Sequence, residues 1–253
     1  MTDVIRSIGF LSRLPVSSRF YENHNGAISN YARAFPAAGL LLAVPPALLL
    51  WILLQIDAPP LLAALICLLA LTLITGALHE DGLADSADGL AGGRDREHML
   101  AIMRDSCTGS YGVIALIFSF SIRAAALCHL IVYSQALAVL AVLAVQPAAR
   151  ALMVAHWHAL PAARGDGVAS GAGQPDSANR RFALVSSIVV VTLLLISVAS
   201  LAEIAVALVA SGLAVYGFSR YVMRKIGGHT GDTIGASEQT AEIVFLSTLA
   251  LWI

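Results

Sequence analysis

Apolar runs long enough to cross a lipid bilayer recur along most of this chain of 253 residues. A transmembrane helix needs about 20 mostly apolar residues. Seven runs reach or approach that length, at 37–56, 60–78, 113–133, 136–155, 182–202, 204–219 and 239–253. Because lipid offers no hydrogen-bond partners, the backbone of such spans has to be helical. The sequence therefore predicts an all-α fold, a polytopic integral membrane bundle of about seven transmembrane helices.

The charged residues are few, and this limits both the domain organisation and the partners. They make up only 12% of the chain, against about a quarter in a typical soluble domain. Little sequence is left for a separate water-soluble domain, so we predict a single membrane domain over 1–253. The net charge of −1 does not favour a broad basic surface. We therefore expect membrane lipid and small molecules, and no nucleic acid, as partners.

The orientation follows from the connections between the predicted spans. The tight connections at 57–59 and 134–135 carry no Lys or Arg. Most Lys and Arg residues occur instead in the N-terminal segment, 1–35, and in three long connections, 76–112, 156–181 and 220–238. The positive-inside rule places these basic segments in the cytosol. We therefore expect the N-terminus inside and a functional site carried by the cytosolic loops.

Arg123 is an ionisable residue inside the predicted span 113–133. Such a group normally faces the interior of the bundle or a water-filled cavity. The sequence leaves three arrangements open for Arg123: a pair with Glu203, a pair with Glu242, or a side chain that extends to the membrane surface.

An acidic segment follows the second predicted span. Seven acidic residues fall between His79 and Gly112, opposed by three arginines. On a helix, Asp81, Asp85 and Asp88 lie at i, i+4 and i+7 and share one face. Carboxylates without Cys ligands suit a hard cation such as Mg²⁺ or Mn²⁺, which also recruits phosphate oxygens of a substrate. The pattern predicts a metal site for a phosphorylated substrate; the alternative is a solvated acidic helix face.

A second short helix is predicted after the acidic one. Asp95 is placed to cap its start, and the helix leads to Arg104 and Asp105 just before a glycine turn at 109–112. Asp105 is a candidate for a further metal ligand or for the base that deprotonates an attacking hydroxyl. Arg104 is a candidate for stabilising phosphate charge or, alternatively, for anchoring the chain at the membrane surface.

A glycine-rich stretch, GGHTGDTIGAS at 227–237, lies between the last two predicted spans. Its backbone N–H groups are candidates for wrapping a phosphate, with Thr230, Asp232 and Thr233 supplying polar side chains. It lacks the Gly-Lys-Ser/Thr of a nucleotide-binding P-loop. The alternative is a flexible turn in which Ser237 caps the next helix.

Five pieces of the chain together resemble the cobalamin synthase family of adenosylcobinamide-GDP ribazoletransferases. They are FLSRLPV at 10–16, FPAAG at 35–39, HEDGLADSADG at 79–89, MRDSCTGSYGV at 103–113 and GGHTGDTIGA at 227–236. The resemblance covers nearly the whole chain, and the third and fourth pieces are specific when found in this order.

The resemblance implies an enzyme of the late steps of cobalamin biosynthesis. In the implied Mg²⁺-dependent reaction, a hydroxyl of α-ribazole or its 5′-phosphate attacks adenosylcobinamide-GDP and GMP leaves. Adenosylcobalamin, or its 5′-phosphate, is the product. The resemblance also implies a multi-pass protein of the bacterial inner membrane with a cytosolic active face. It leaves open whether the protein forms a homo-oligomer and whether it contacts other cobalamin-assembly enzymes.

The matched pieces supply the expected site residues. Metal ligands are expected among Glu80, Asp81, Asp85, Asp88 and Asp232. Catalytic roles are expected for Asp105 or His79 as the base and for Arg104 at the phosphate. Substrate binding is expected for Gly109, Gly228, Thr230, Gly231, Thr233 and Arg13.

Two other function classes remain open at this point. The stretch DSADG at 85–89 fits the start of the signature of CDP-alcohol phosphatidyltransferases, although the rest of that signature is missing. A cation or substrate transporter would favour ionisable residues near the middle of the bilayer, whereas most acids here lie outside the predicted spans.

Overall fold

The computed structural model describes residues 1–21, 26–164 and 171–253, so part of the predicted segments 1–35 and 156–181 lies outside the described residues. We number the described α-helices in chain order. They are α1 Thr2–Leu11, α2 Phe35–Gln55, α3 Pro60–Thr75, α4 Leu78–Gly92, α5 Arg96–Ile102, α6 Ser110–Tyr133, α7 Gln135–Ala159, α8 Ser177–Leu195, α9 Leu201–Ile226 and α10 Gly231–Trp252. Within the described ranges the only β-type pairing is an isolated bridge between Ala162 and His229. The all-α prediction is confirmed.

Five stretches are long and apolar enough to cross a membrane: Ile28–Gln55, which includes α2, and the helices α6, α7, α8 and α9. The pair α3 and α4 passes the same test jointly, although it is bent by 91°. The polytopic membrane bundle is thus confirmed. The run at 239–253 forms the later part of α10, whose buried Glu238 and Glu242 lower its hydropathy; α10 is not among these apolar helices.

The bend between α3 and α4 sets the position of the acidic segment. Gly76 has φ +66° and ends α3 in the left-handed conformation, and Ala77 adopts φ +58° directly after it. Two successive left-handed residues turn the chain by about a right angle. Gly76 adopts this conformation at little cost, whereas it is uncommon for a residue such as Ala77. Helix α4 therefore does not continue α3 through the bilayer, and we treat α4 as lying outside the spanning segments.

Helix α7 forms the centre of the bundle, whereas α8 and α9 lie at its edge. In α7, 78% of the most apolar 18-residue stretch is buried, compared with 22% of the corresponding stretch in α8 and in α9. Helix α7 packs against α2, α8 and α10. Helix α4 packs against α6 and α10, so the acidic segment is held by two helices of the bundle.

The predicted loop at 220–238 is mostly helical. Helix α9 continues to Ile226 and ends at Gly227, which has φ +74°. Helix α10 begins as early as Gly231 because Thr230 caps it: the Thr230 hydroxyl accepts the N–H of Thr233, and the Thr233 side chain accepts the N–H of Thr230. Only 227–230 is left as a connection, and Ser237 lies inside α10 and does not cap it.

Candidate active site

Three carboxylates, Asp81 and Asp85 of α4 and Asp232 of α10, form what we call the acidic face. Gly82 lets the two helices approach closely, because a Cβ atom there would lie 2.7 Å from the carbonyl oxygen of Asp232 and 3.2 Å from Cα of Gly235. The first turn of α10 therefore touches the backbone of α4. This contact brings Asp232, 147 residues further along the chain than Asp85 (232 − 85), next to the predicted acidic helix.

The carboxylates of the acidic face repel one another. Burial, followed by the charges of Asp81, Asp232 and Asp88, raises the pKa of Asp85 to about 7. Burial also raises the pKa of Asp232, an effect opposed by a hydrogen bond from the Thr230 hydroxyl (3.1 Å) and by the charge of Arg164. Like charges at this spacing are unfavourable unless a cation or a proton compensates them.

The carboxylates of the acidic face are of the type that binds a magnesium ion when a substrate supplies some of the other ligands. Within the described ranges, no three His, Cys, Asp or Glu side chains converge to form a ready-made metal cage. Mg²⁺ is usually bound by only one or two carboxylates, with water and phosphate oxygens completing its octahedral shell. Asp81, Asp85 and Asp232 supply carboxylate oxygens of the type that Mg²⁺ binds.

Asp88 holds the start of α6. Its carboxylate accepts hydrogen bonds from the backbone N–H groups of Gly109 (2.7 Å) and Gly112 (2.9 Å). A Cβ atom at Gly112 would come within van der Waals overlap of the same carboxylate. A negative charge at a helix N-terminus is stabilising, so this geometry accounts for Asp88, Gly109 and Gly112 as a structural clamp between α4 and α6.

Glu80 points away from the acidic face into the bundle. It is 6% exposed, and its Oε1 accepts hydrogen bonds from Thr72 (3.2 Å) and Gln239 (3.4 Å). Of the five predicted metal ligands, the structure therefore places Asp81, Asp85 and Asp232 together, Asp88 beside them, and Glu80 in the interior.

A pocket of about 260 Å³ opens beside the acidic face. Asp81 and Asp232 lie at its rim, and His79, Phe35 and Trp157 line its interior. Side chains of α1, α2, α4, α7 and α10 contribute to its walls. The combination of an apolar cavity with a few converging polar groups is typical of a small-molecule site.

The two candidate bases lie in different places. His79 is in the pocket, 2% exposed, with Nδ1 3.7 Å from Oε2 of Glu238 and with no described partner for Nε2. Asp105 is exposed in the connection after α5, where its Oδ1 accepts the N–H of Cys107 (3.2 Å). Arg104, beside it, is also exposed and lines a separate depression of about 210 Å³.

The predicted helix α5 is present as expected. Asp95 caps it by accepting a hydrogen bond from the N–H of His98 at 2.9 Å. Met99 within α5 and Met103 directly after it are buried. Arg96 ties α5 to the end of α9 by donating to the carbonyl oxygen of Ile226 at 2.9 Å.

The glycine-rich residues have unequal access to the pocket. Gly231 is exposed, lines the pocket and has open space around it. Gly228 is pressed against the backbone of 161–163, where the N–H of His229 donates to Pro161 (2.8 Å). Thr230 and Thr233 are buried, and their hydroxyls take part in the cap of α10. Gly231 is thus the member of this set that lines the pocket.

Arg13 lies at the bend between α3 and α4. Its side chain covers Gly76, since a Cβ atom there would overlap Arg13 Cγ and Nε, and its backbone N–H donates to the carbonyl of Ile74 at 2.9 Å. The residue is exposed. Arg13 therefore presents a positive charge next to the start of α4.

A buried network of charged and polar side chains lies beneath His79. Its members are Thr72, Glu80, Ser119, Arg123, Gln146, Arg150, Glu238, Gln239 and Glu242. Arg123 Nη1 lies 2.8 Å from Glu242, which confirms one of the predicted arrangements. Glu203 instead completes the N-terminal cap of α9 through Ser200.

Arg150 is the main residue of this network that sequence reasoning missed. It lies inside α7, is 1% exposed, and binds Glu238 and Glu242, the latter at 3.1 Å. Gly39 of the FPAAG piece makes room for it, because a Cβ atom there would lie 2.7 Å from Arg150 Cδ. A detectable signal was present: Gln146 and Arg150 are polar residues four apart within an apolar run.

Comparisons of the sequence with known proteins identify its family. A family model described as cobalamin-5-phosphate synthase matches residues 3–250. Proteins named adenosylcobinamide-GDP ribazoletransferase are similar to the chain: one from Sinorhizobium sp is 50% identical and one from Rhizobium etli (strain CIAT 652) 47%, each alignment covering 98% of this chain and 96% of the relative. The protein of that name from Brucella ovis is 39% identical at the same coverage. No solved structure matches the chain significantly. The chain therefore belongs to the cobalamin-5-phosphate synthase family.

Proposed function

We propose that this protein is an adenosylcobinamide-GDP ribazoletransferase. Relatives of that name align with 98% of the chain, and their name supports the substrate class. The observation that carries the proposal is the acidic face between α4 and α10: Asp81 and Asp232 line the pocket, and both interact electrostatically with Asp85. Such a cluster suits a reaction in which a metal-bound diphosphate is broken.

The proposed reaction exchanges a phosphoanhydride bond for a phosphodiester bond. The hydroxyl oxygen of α-ribazole, or of its 5′-phosphate, attacks the phosphorus that is bonded to the cobinamide side chain. A new P–O bond forms there while the P–O–P bond to the guanosine phosphate breaks. GMP leaves with the bridging oxygen, and the hydroxyl proton passes to a base.

The residues divide this work between charge and proton transfer. Asp81, Asp85 and Asp232 are proposed to hold Mg²⁺ or Mn²⁺, which supplies positive charge to the diphosphate. Between the two candidate bases, the geometry favours His79, because it lies inside the pocket with Nε2 free of described partners. The aromatic walls formed by Phe35 and Trp157 suit the base of one nucleoside substrate.

The proposed location is the bacterial inner membrane, with the N-terminus and the acidic face on the cytosolic side. Arg13 and the acidic face flank the start of α4, and the connections on that side carry most of the basic residues outside the spans. Positive charge in short connections favours the cytosol.

The test of the activity is GMP release by the detergent-purified protein. We expect GMP only when adenosylcobinamide-GDP, α-ribazole (or its phosphate) and Mg²⁺ are all present. Omitting each component in turn provides the controls, and adenosylcobinamide phosphate is measured alongside, because it is the product of simple hydrolysis. GMP release that does not depend on the ribazole acceptor would show a hydrolase and contradict the proposal.

The proposed metal site also predicts a pH-dependent effect of Mg²⁺ on stability. The pKa of Asp85 is about 7 in the folded protein against an ordinary value of 3.8, so the folded state holds this proton more tightly than the unfolded state. The stability of the metal-free protein then falls as the pH rises through this interval and stays low above it. We expect Mg²⁺ to raise the melting temperature more at pH 8 than at pH 5, as followed by intrinsic fluorescence. An equal rise at both pH values would contradict cation binding by the acidic face.

A further inference from the structure

A groove of about 670 Å³ runs between α7, α8 and α9, away from the acidic face. Apolar side chains, among them Leu152, Leu184 and Val215, line most of it. Helices α8 and α9 are the least buried of the apolar helices, and neighbouring residues such as Val185 and Leu213 are more than 60% exposed. The groove therefore lies at the lipid-facing edge of the bundle.

Four arginines line one end of this groove. Arg180 and Arg181 are in the first turns of α8, and Arg220 and Arg224 are in the last turns of α9. Among the described residues, none of the four lies within 4.0 Å of a carboxylate. Nε of Arg180 is buried and has no described hydrogen-bond partner. This end of the groove thus concentrates positive charge that the described part of the chain does not neutralise.

The apolar part of the groove is open at Gly212. A Cβ atom on Gly212 would meet only Leu152 Cδ2, at 4.0 Å, which is an ordinary contact distance. The glycine therefore leaves a free channel along α9 below the arginines. A slot of this shape, apolar along its length and cationic at one end, is complementary to a lipid with a negatively charged headgroup.

We propose that this groove binds an anionic phospholipid. The headgroup phosphate lies among Arg180, Arg181, Arg220 and Arg224, and an acyl chain follows the channel past Gly212. Basic pockets between transmembrane helices bind anionic headgroups in this way. A soluble phosphate compound would use the arginines but would gain nothing from the apolar channel.

Binding of short-chain lipids to the full-length protein in neutral detergent tests the proposal. We expect dioctanoylphosphatidylglycerol to bind about tenfold more tightly than either dioctanoylphosphatidylcholine or glycerol 3-phosphate. The double variant R181Q/R224Q removes headgroup contacts, and Gly212→Leu fills the channel. Each is expected to weaken phosphatidylglycerol binding by about tenfold or more.

Two matched variants serve as controls. Gly217→Leu makes the same change on the same helix, at a site outside the groove where a Cβ atom meets nothing within 4 Å. R19Q/R94Q removes two exposed arginines elsewhere. Both are expected to bind the lipid as the unmodified protein does. Equal binding of the two lipids, equal binding of glycerol 3-phosphate with no effect of Gly212→Leu, or equal losses for Gly212→Leu and Gly217→Leu would each overturn the proposal.

Discussion

The Asp85→Asn variant is expected to lose about 10²- to 10³-fold in GMP release while the metal-free protein stays folded and becomes no less stable. The amide keeps the size of the side chain but removes the negative charge at the centre of the acidic face. Because the carboxylate of Asp85 is crowded by Asp81, Asp232 and Asp88, its removal relieves repulsion. Turnover and melting temperature measured on the same preparation separate a role in catalysis from a role in folding.

The matched control is Asp57→Asn, in the connection between α2 and α3. Asp57 is exposed and has φ +55°, a conformation that asparagine tolerates well. This variant is expected to keep both turnover and stability. If Asp85→Asn kept full turnover at limiting Mg²⁺, or if its melting temperature fell well below that of Asp57→Asn, the acidic face would not be the metal site.

Asp88→Asn is expected to behave differently from Asp85→Asn. It replaces a charged acceptor of two N–H groups at the start of α6 by an amide, and loss of such a cap costs about 1 kcal/mol. Both stability and turnover should fall. The comparison distinguishes a residue that holds the fold of the site from one that serves the reaction.

The largest expected effect on stability belongs to Arg150. Replacing Arg150 by Met leaves Glu238, which is fully buried, without its cation, and breaking a buried ion pair from one side costs about 3–5 kcal/mol. The apparent free energy of unfolding in mixed micelles measures this loss. Arg33→Met is the control, because Arg33 is exposed and its pair with Asp3 (2.9 Å) is worth about 1 kcal/mol or less.

A double variant tests whether the loss comes from the uncompensated carboxylate. Adding Glu238→Gln to Arg150→Met removes both charges, so the double variant is expected to be less destabilised than the sum of the two single variants. Simple additivity would mean that Arg150 contributes through packing near Gly39 and not through its charge.

The sequence predicted the acidic helix well but not the elements that cover it. Helical periodicity placed Asp81, Asp85 and Asp88 on one face, and α4 has that geometry. Helical periodicity carries no information about which other elements pack against a helix. It therefore did not reveal that the Asp88 carboxylate accepts hydrogen bonds from the backbone N–H groups of Gly109 and Gly112. Glu80 adjoins Asp81 in sequence but lies about 100° around the helix, which turns it into the bundle.

The buried network illustrates the second limit. Arg150 and Glu238 are 88 positions apart, and nothing local in a single sequence indicates that α7 and α10 pair there. The apolar runs were sufficient to predict the spans α6 and α7. The first part of α10 was missed because its charged residues interrupt the apolar pattern, although those charges are compensated inside the protein.

The placement of this network also constrains how the protein is made. Helices α6 and α7 are synthesised before α10, yet α10 supplies Glu238 and Glu242, which pair with Arg123 and Arg150. In the folded protein Arg123 also lies 3.6 Å from Glu80 of α4, which is synthesised earlier. Among the described residues, the carboxylates that pair with Arg150 are both on α10. Completion of the bundle is therefore a late event in biogenesis, and a ribosome that stops before α10 releases a chain with an uncompensated cation in the membrane.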